Sequence, residues 1–196
     1  SSVTISPDSE TYPRTSDNLN CTWSWSGGGS DVHANVTWYN GTQVMFTYNN
    51  VSGSSVLNST YTHKQETWNC SVIAYNETAS SSTMTDSVTI KNSPPSAPFV
   101  QRNATNVGNN YSLVEGLTYN FLLNTTDPDS EDSLQFSSSS PDASYCSIDS
   151  SSGIITCSSS SQPDGLSDRF WFYAFDGTIS IGTYIDFNVS PVNDPP

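Results

Sequence analysis

Apolar residues recur at every second position in short segments separated by Gly, Asn, Asp, Ser and Pro clusters, and no stretch sustains a 3.6-residue period. In Cys21-Thr-Trp-Ser-Trp25 the alternation puts Cys21, Trp23 and Trp25 on one face and Thr22 and Ser24 on the other. The same period collects Trp68, Cys70, Val72 and Ala74, and between these segments Val36 pairs with Trp38. The pattern predicts an all-β chain with helix content near zero.

Three short β-type runs each lead into a Pro-bearing polar stretch: Val3-Thr-Ile5 before Pro7, Val88-Thr-Ile90 before Pro94, Pro95 and Pro98, and Phe187-Asn-Val189 before Pro191, Pro195 and Pro196. Proline fixes φ and cannot donate to a sheet ladder, so such stretches end strands and stiffen linkers. They divide the chain into two tandem β-sandwich domains, 1–95 and 96–196, a size the total of 196 residues allows. Val3-Thr-Ile5 returns as Val88-Thr-Ile90. Unless this is ordinary strand vocabulary repeated, residues 1–6 are a strand of a preceding module or a donated strand, and the chain comes from a tandem array.

Composition changes the picture in one respect and bounds it in two. Leu, Ile, Val and Phe make only about a fifth of the chain, which leans toward disorder, but five Trp, ten Tyr and eight Phe are enough to build two small cores. Five basic against 19 acidic residues give a net charge of −14 with no basic patch, which excludes nucleic-acid binding. The longest apolar run, Phe170 to Phe175, is far too short to span a bilayer, and no signal-peptide pattern is present. A first residue of Ser suggests a processed product or a piece of a longer chain.

Cys21, Trp38 and Cys70, with 17 residues from Cys to Trp and 49 between the cysteines, resemble the immunoglobulin superfamily pattern over about residues 8–91. The resemblance implies an inter-sheet disulfide Cys21–Cys70 packed on Trp38, worth about 3 to 4 kcal/mol by loop closure. The alternative for the cysteines is buried free thiols. Two positions before the second Cys, that family carries its corner Tyr; here the residue is Trp68.

The second half shows Val114-Glu-Gly116, Asp127-Pro-Asp-Ser-Glu-Asp132, Leu134-Gln-Phe136, a turn around Gly153, Ala174-Phe-Asp-Gly177 and Val192-Asn-Asp-Pro-Pro196 in order. This succession resembles the cadherin-like repeats of tandem-repeat surface proteins of archaea and bacteria, over about residues 98–196. The resemblance implies a calcium site at one pole, made here by Asp127, Asp129, Asp132 and Asp176. Carboxylates spaced i, i+2, i+5 in a turn are able to converge on one ion. The alternative is a solvated loop whose Asp side chains cap their own amides. The opposite pole, with Glu115, Asn193 and Asp194, is a weaker candidate, because residues 162–169 lack the family's Asp-Arg-Glu run. Cys146 and Cys157 flank the Gly153 turn and are expected to bond across a hairpin; the alternative is a bond between the two halves.

Asn-x-Ser/Thr occurs at Asn20, Asn35, Asn40, Asn50, Asn58, Asn69, Asn76, Asn103, Asn110, Asn124 and Asn188, about twice the number that 30% Ser plus Thr yields by chance. Alternation points Asn20, Asn35 and Asn69 outward. The sequons and the even cysteine count predict a disulfide-bonded, N-glycosylated protein, extracellular or at the cell surface. His33 and His63 lack ligand-spaced partners, no nucleophile elbow or phosphate loop occurs, and the paired carboxylates lack the asymmetric setting of a glycosidase. No enzyme is expected. The leading reading is a structural repeat unit of a surface array or filament whose partners are copies of itself or neighbouring repeats; the alternative is an adhesin or carbohydrate-binding module using Tyr39, Tyr48 and Tyr75.

Overall fold

A computed structural model describes residues 1–7, 13–27, 31–139, 145–159 and 167–192. The chain divides into two compact units, Ser1–Ser93 and Pro94–Pro196. Apart from a single 3-10 turn, Ser59–Tyr61, the regular elements among the described residues are β-strands. Among the described residues no helix is long and apolar enough to cross a membrane.

Unit 1 is an immunoglobulin-like sandwich. Its first sheet has the order β1-β2-β5, made of β1 (Ser2–Ser6), β2 (Leu19–Ser24) and β5 (Ser54–Leu57). The second runs β4-β3-β6-β7, with β3 (His33–Asn40), β4 (Gln43–Val51), β6 (Thr67–Tyr75) and β7 (Met84–Thr89). Both sheets turn alternate residues into one core of Ile5, Leu19, Cys21, Leu57, Val36, Trp38, Trp68, Cys70 and Val72. Cys21 on β2 and Cys70 on β6 are bonded across the sheets, and the buried Trp38 indole donates to Ser55 Oγ on β5 at 3.0 Å. Both of these links run from one sheet to the other. Trp68, in the corner position, donates its indole N–H to Glu66 Oε2 only two residues away.

Residues 2–6 do not stand free of unit 1: they pair in antiparallel register with β2, from Ser2 opposite Ser24 to Ser6 opposite Asn20, and Ile5 is fully buried. The outward-facing Ile5 N–H donates to Asp86 Oδ2 on β7 at 2.7 Å, so this edge of the first sheet is fastened to an edge strand of the second. Trp25 does not continue the inward row of Cys21 either. β2 ends at Ser24, and the Trp25 indole folds back over Gly27, where any Cβ would lie 2.1 Å from the ring.

Unit 2 packs a four-stranded sheet against a five-stranded one. The first, β10-β16-β15-β12, contains β10 (Asn110–Val114), β12 (Gln135–Ser139), β15 (Ser167–Phe175) and β16 (Ser180–Ser190), with β10 and β16 parallel. The second, β13-β14-β11-β8-β9, contains β8 (Phe99–Arg102), β9 (Thr105–Asn106), β11 (Thr118–Asn124), β13 (Cys146–Ile148) and β14 (Ile154–Ser158). Its core is built on rings: Tyr119, Phe121, Tyr145, Phe170, Phe172 and Phe187, in edge-to-face and tilted contacts 5.0 to 5.6 Å apart where Tyr111 meets Phe121, Phe121 meets Phe187, and Phe170 meets Tyr145 and Phe187. Cys146 and Cys157 are bonded and directly opposite each other on neighbouring strands of one sheet. The turn between them is set by Gly153 at φ +70° and by Asp149, whose Oδ1 accepts the Ser151 and Ser152 amides; these bonds hold its carboxyl well below the usual range.

Candidate functional site: an acidic pole and the sequons

The segment after β11 folds into two successive turns, one closed by a carboxylate and one by a backbone carbonyl. Asp127 Oδ1 accepts the Asp129 N–H at 2.8 Å, and the Asp132 N–H donates to the Asp129 carbonyl at 2.9 Å, which carries Asp132 back toward Asp127. Asp176 ends β15, where its Oδ1 accepts the Thr178 and Ile179 amides at 2.6 Å and Gly177 takes φ +94° to close the turn into β16. The loop and the turn meet at the pole where unit 2 begins, since Asn124 at the end of β11 lies opposite Phe99 and the Ser96 N–H donates to the Thr126 carbonyl.

This arrangement gathers one carboxylate oxygen each from Asp127, Asp132 and Asp176 within 4.8 Å of one another. Asp129, the fourth residue expected in the set, is buried within the turn and is not one of the three. Burial first, then the charges of Asp129, Asp176 and Asp132, push the Asp127 carboxyl above its ordinary value. Its Oδ2 is shut off from solvent with no hydrogen-bond partner. Oxygens that share a hard divalent cation at about 2.3 to 2.6 Å are at most about 5 Å apart, so the three donors fit such an ion, which would also occupy the orphaned Oδ2. The other pole has only Glu115 among the described residues, its Oε2 accepting the Val192 N–H; Asn193 and Asp194 lie outside them.

The sequons fall into two groups. Asn35, Asn50, Asn58, Asn103 and Asn110 are exposed, while Asn20, Asn40, Asn69, Asn76, Asn124 and Asn188 are half-buried. Asn40, Asn69, Asn124 and Asn188 already donate through Nδ2, to Glu66, the Gly41 carbonyl, Gln101 and Asn110. Asn20 lies in the outward phase of β2, opposite to buried Leu19 and Cys21, but is half-buried there, with its Oδ1 closed off from solvent.

Tyr39, Tyr48 and Tyr75 do not make one platform. Tyr48, 42% exposed on the edge strand β4, sits opposite Val36 in the phase of the core row, whereas Tyr39 and Tyr75 point out of the other face of the same sheet beside Asn69 and His33. The Tyr75 hydroxyl is held by Asn50 Oδ1. Alternation shows that the three occupy different faces only once the register of β4 on β3, with its bulges, is known.

No protein-family model matches the chain, and no curated protein matches it in sequence. Among solved structures it is similar to a SusE-like surface-located polysaccharide-binding protein from the Bacteroides thetaiotaomicron heparin utilisation locus, at 14% identity and a TM-score of 0.40 over 98% of this chain and 35% of that one. It is similar to the titin I-band fragment I67–I69 at 14% identity and TM-score 0.37, covering 93% of this chain and 62% of that one. A third is the FN1–FN3 fragment of chicken contactin, at 11% identity and TM-score 0.40, covering 97% and 65%. The chain therefore spans less than two thirds of the length of each.

Proposed function

We propose that the chain is a non-enzymatic structural module of an extracellular or cell-surface array or filament, built from an immunoglobulin-like and a cadherin-like sandwich, N-glycosylated, and stiffened by calcium. The supporting observation is the convergence of Asp127, Asp132 and Asp176 oxygens within 4.8 Å at the pole where the second unit begins. Calcium there would bind the Asp127–Asp132 loop to the β15–β16 turn and remove the repulsion between the carboxylates. The ion's role is mechanical, a loop fastened to the sheet it overhangs. Two disulfides fit an oxidising compartment. The adhesin reading finds no support in Tyr39, Tyr48 and Tyr75, which face different ways.

Electron microscopy of the protein from its native source, in calcium and after chelation, tests this reading. Ordered fibres or a lattice that loosen on chelation are expected. Isolated particles under both conditions would overturn it.

A further inference from the structure

The run Phe170-Trp-Phe-Tyr-Ala-Phe175 is aromatic on both faces of β15. Phe170 and Phe172 enter the core, and the intervening positions, Trp171, Tyr173 and Phe175, form a row on the outer face roughly 14 Å long. Trp171 and Phe175 are 38% and 37% exposed, much for rings of this size. Tyr184, opposite Trp171 on β16, extends the row sideways, with ring centroids 5.3 Å apart. Tyr173 lies against Gly182, its register partner: a Cβ at Gly182 would be 2.7 Å from the ring, so the glycine is what lets the ring lie down on the sheet. At the far end Phe175 walls a cleft of about 230 Å³, whose polar lining comes from Gln135, Ser137, Ser150 and Ser180.

The charge on this face is balanced. Although the sequence from Pro94 onward carries two basic and twelve acidic residues, the outward positions of β12, β15 and β16 hold one of each, Arg169 and Asp186. These neutralise each other in a two-pronged ion pair at 2.8 and 2.9 Å, with the guanidinium 4.1 Å above the Tyr184 ring. The same outward positions contain no Leu, Ile, Val or Met; beside the rings stand hydroxyls, the amides of Gln135 and Asn188, and a glycine.

We propose that the outer face of β12, β15 and β16 binds a neutral oligosaccharide. The C–H faces of pyranose rings, slightly positive, match the negative faces of Trp171, Tyr184 and Tyr173, while the hydroxyls around the Phe175 cleft fix the orientation of one ring. Flat rings set among small polar groups offer a polyol both an apolar surface for its C–H faces and partners for its hydroxyls. The absence of unbalanced charge suits a neutral sugar, and the surrounding acidity disfavours acidic polysaccharides. The site does not depend on the structural role or on calcium: a wall or filament module with such a face would hold on to a sugar polymer beside it.

The full chain is titrated calorimetrically with cellohexaose, chitohexaose, laminarihexaose, xylohexaose and mannohexaose, with and without calcium. Binding of at least one is expected in both conditions. Trp171→Ala should weaken it about tenfold, the size of one lost ring stack. Phe175→Ala serves as a second variant, and Gly182→Ala, which lifts Tyr173 off the sheet, should weaken binding while leaving both rings at the ends of the row in place; melting curves verify that each variant is folded. Tyr48→Ala should leave affinity unchanged. Failure of all five sugars to bind overturns the proposal, as does binding that survives all three variants. A dimer in sedimentation that Trp171→Ala dissolves, without sugar binding, would assign the face to a second copy and overturn it equally.

Discussion

The two units solve the same packing problem with different materials. Unit 1 is held by connections between sheets: the Cys21–Cys70 disulfide and the bond from Trp38 to Ser55 each join one sheet to the other around an aliphatic core with two tryptophans. Unit 2 places its disulfide between adjacent strands of a single sheet and fills the space between sheets with Phe and Tyr rings. A disulfide in one case fastens the layers and in the other fastens a hairpin that register already pairs. The surfaces diverge too. Seven of the eleven sequons and a net charge of −4 fall before Pro94, whereas the remaining chain has four sequons and −10. Unit 1 concentrates Asn-x-Ser/Thr triplets, and unit 2 concentrates carboxylates at a pole and rings on a face.

The sharpest way to break this comparison is to remove each disulfide. Cys21→Ala with Cys70→Ala should cost about 4 kcal/mol by loop closure and separate the melting of unit 1 from that of unit 2 in calorimetry. Cys146→Ala with Cys157→Ala should cost less, about 3 kcal/mol on the same reasoning, because the closed loop is shorter. Equal losses, or a larger loss in unit 2, would show that the length of the closed loop does not set the difference. Phe187→Ala should in turn lower the unit 2 transition by about 3 to 5 kcal/mol and leave unit 1 unmoved, since its ring lies fully buried among Phe121 and Phe170.

Calcium gives a smaller and selective effect. At a concentration of about 100 times its Kd, the ion should stabilise unit 2 by about 2.7 kcal/mol and do nothing for unit 1, and Asp127→Asn should remove most of that response. The pH dependence has a definite sign. Asp127 is held above its ordinary value by burial and by the neighbouring carboxylates, so in the absence of a cation its ionised form is a cost, present in full above the folded pKa and gone below the unfolded one. Asp127→Asn should therefore raise the chelated unit's melting temperature near neutral pH, and its advantage over the wild type should shrink as pH falls through that window. An advantage that grew on acidification would contradict the assignment.

The smallest effect concerns glycans. Glycopeptide mapping of native material should find sugar on exposed Asn35, Asn50, Asn58 and Asn103 and less on half-buried Asn20, whose Oδ1 is closed off from solvent. Full occupancy of Asn20 would mean that burial of its Oδ1 does not limit glycosylation.

What alternation encodes was readable directly: the inward rows of Cys21, Val36, Trp38, Trp68, Cys70 and Val72 are all in the core. What depends on contacts far apart in sequence was not. The parallel pairing of Leu113 with Val189 has no local signature, nor has the fastening of Ile5 to Asp86. At the acidic pole the loop's composition was plain, but which carboxylates meet is decided by the Asp129–Asp132 turn, which brings Asp132 back and turns Asp129 inward. The aromatic face escaped for another reason. In a run such as Phe170 to Phe175 apolar residues occupy both phases, so periodicity does not distinguish the side that faces water, and only the register with Gly182 and Tyr184 does.

The bond from Ile5 to Asp86 has a consequence for hydrogen exchange and for association. A strand at the margin of a sheet ordinarily exposes its amides to water and to the backbone of any other chain. Here the central amide of β1 is taken by a carboxylate of the opposite sheet, which closes that flank of the sandwich as a seam closes a tube. Across the unit, β4 carries no charged side chain along its margin, and the sequence holds none from Val32 to His63. The module is consequently handed in its reactivity: the Ile5 amide should be among the slow exchangers despite lying on a marginal strand, and recruitment of a foreign strand has its open berth along β4.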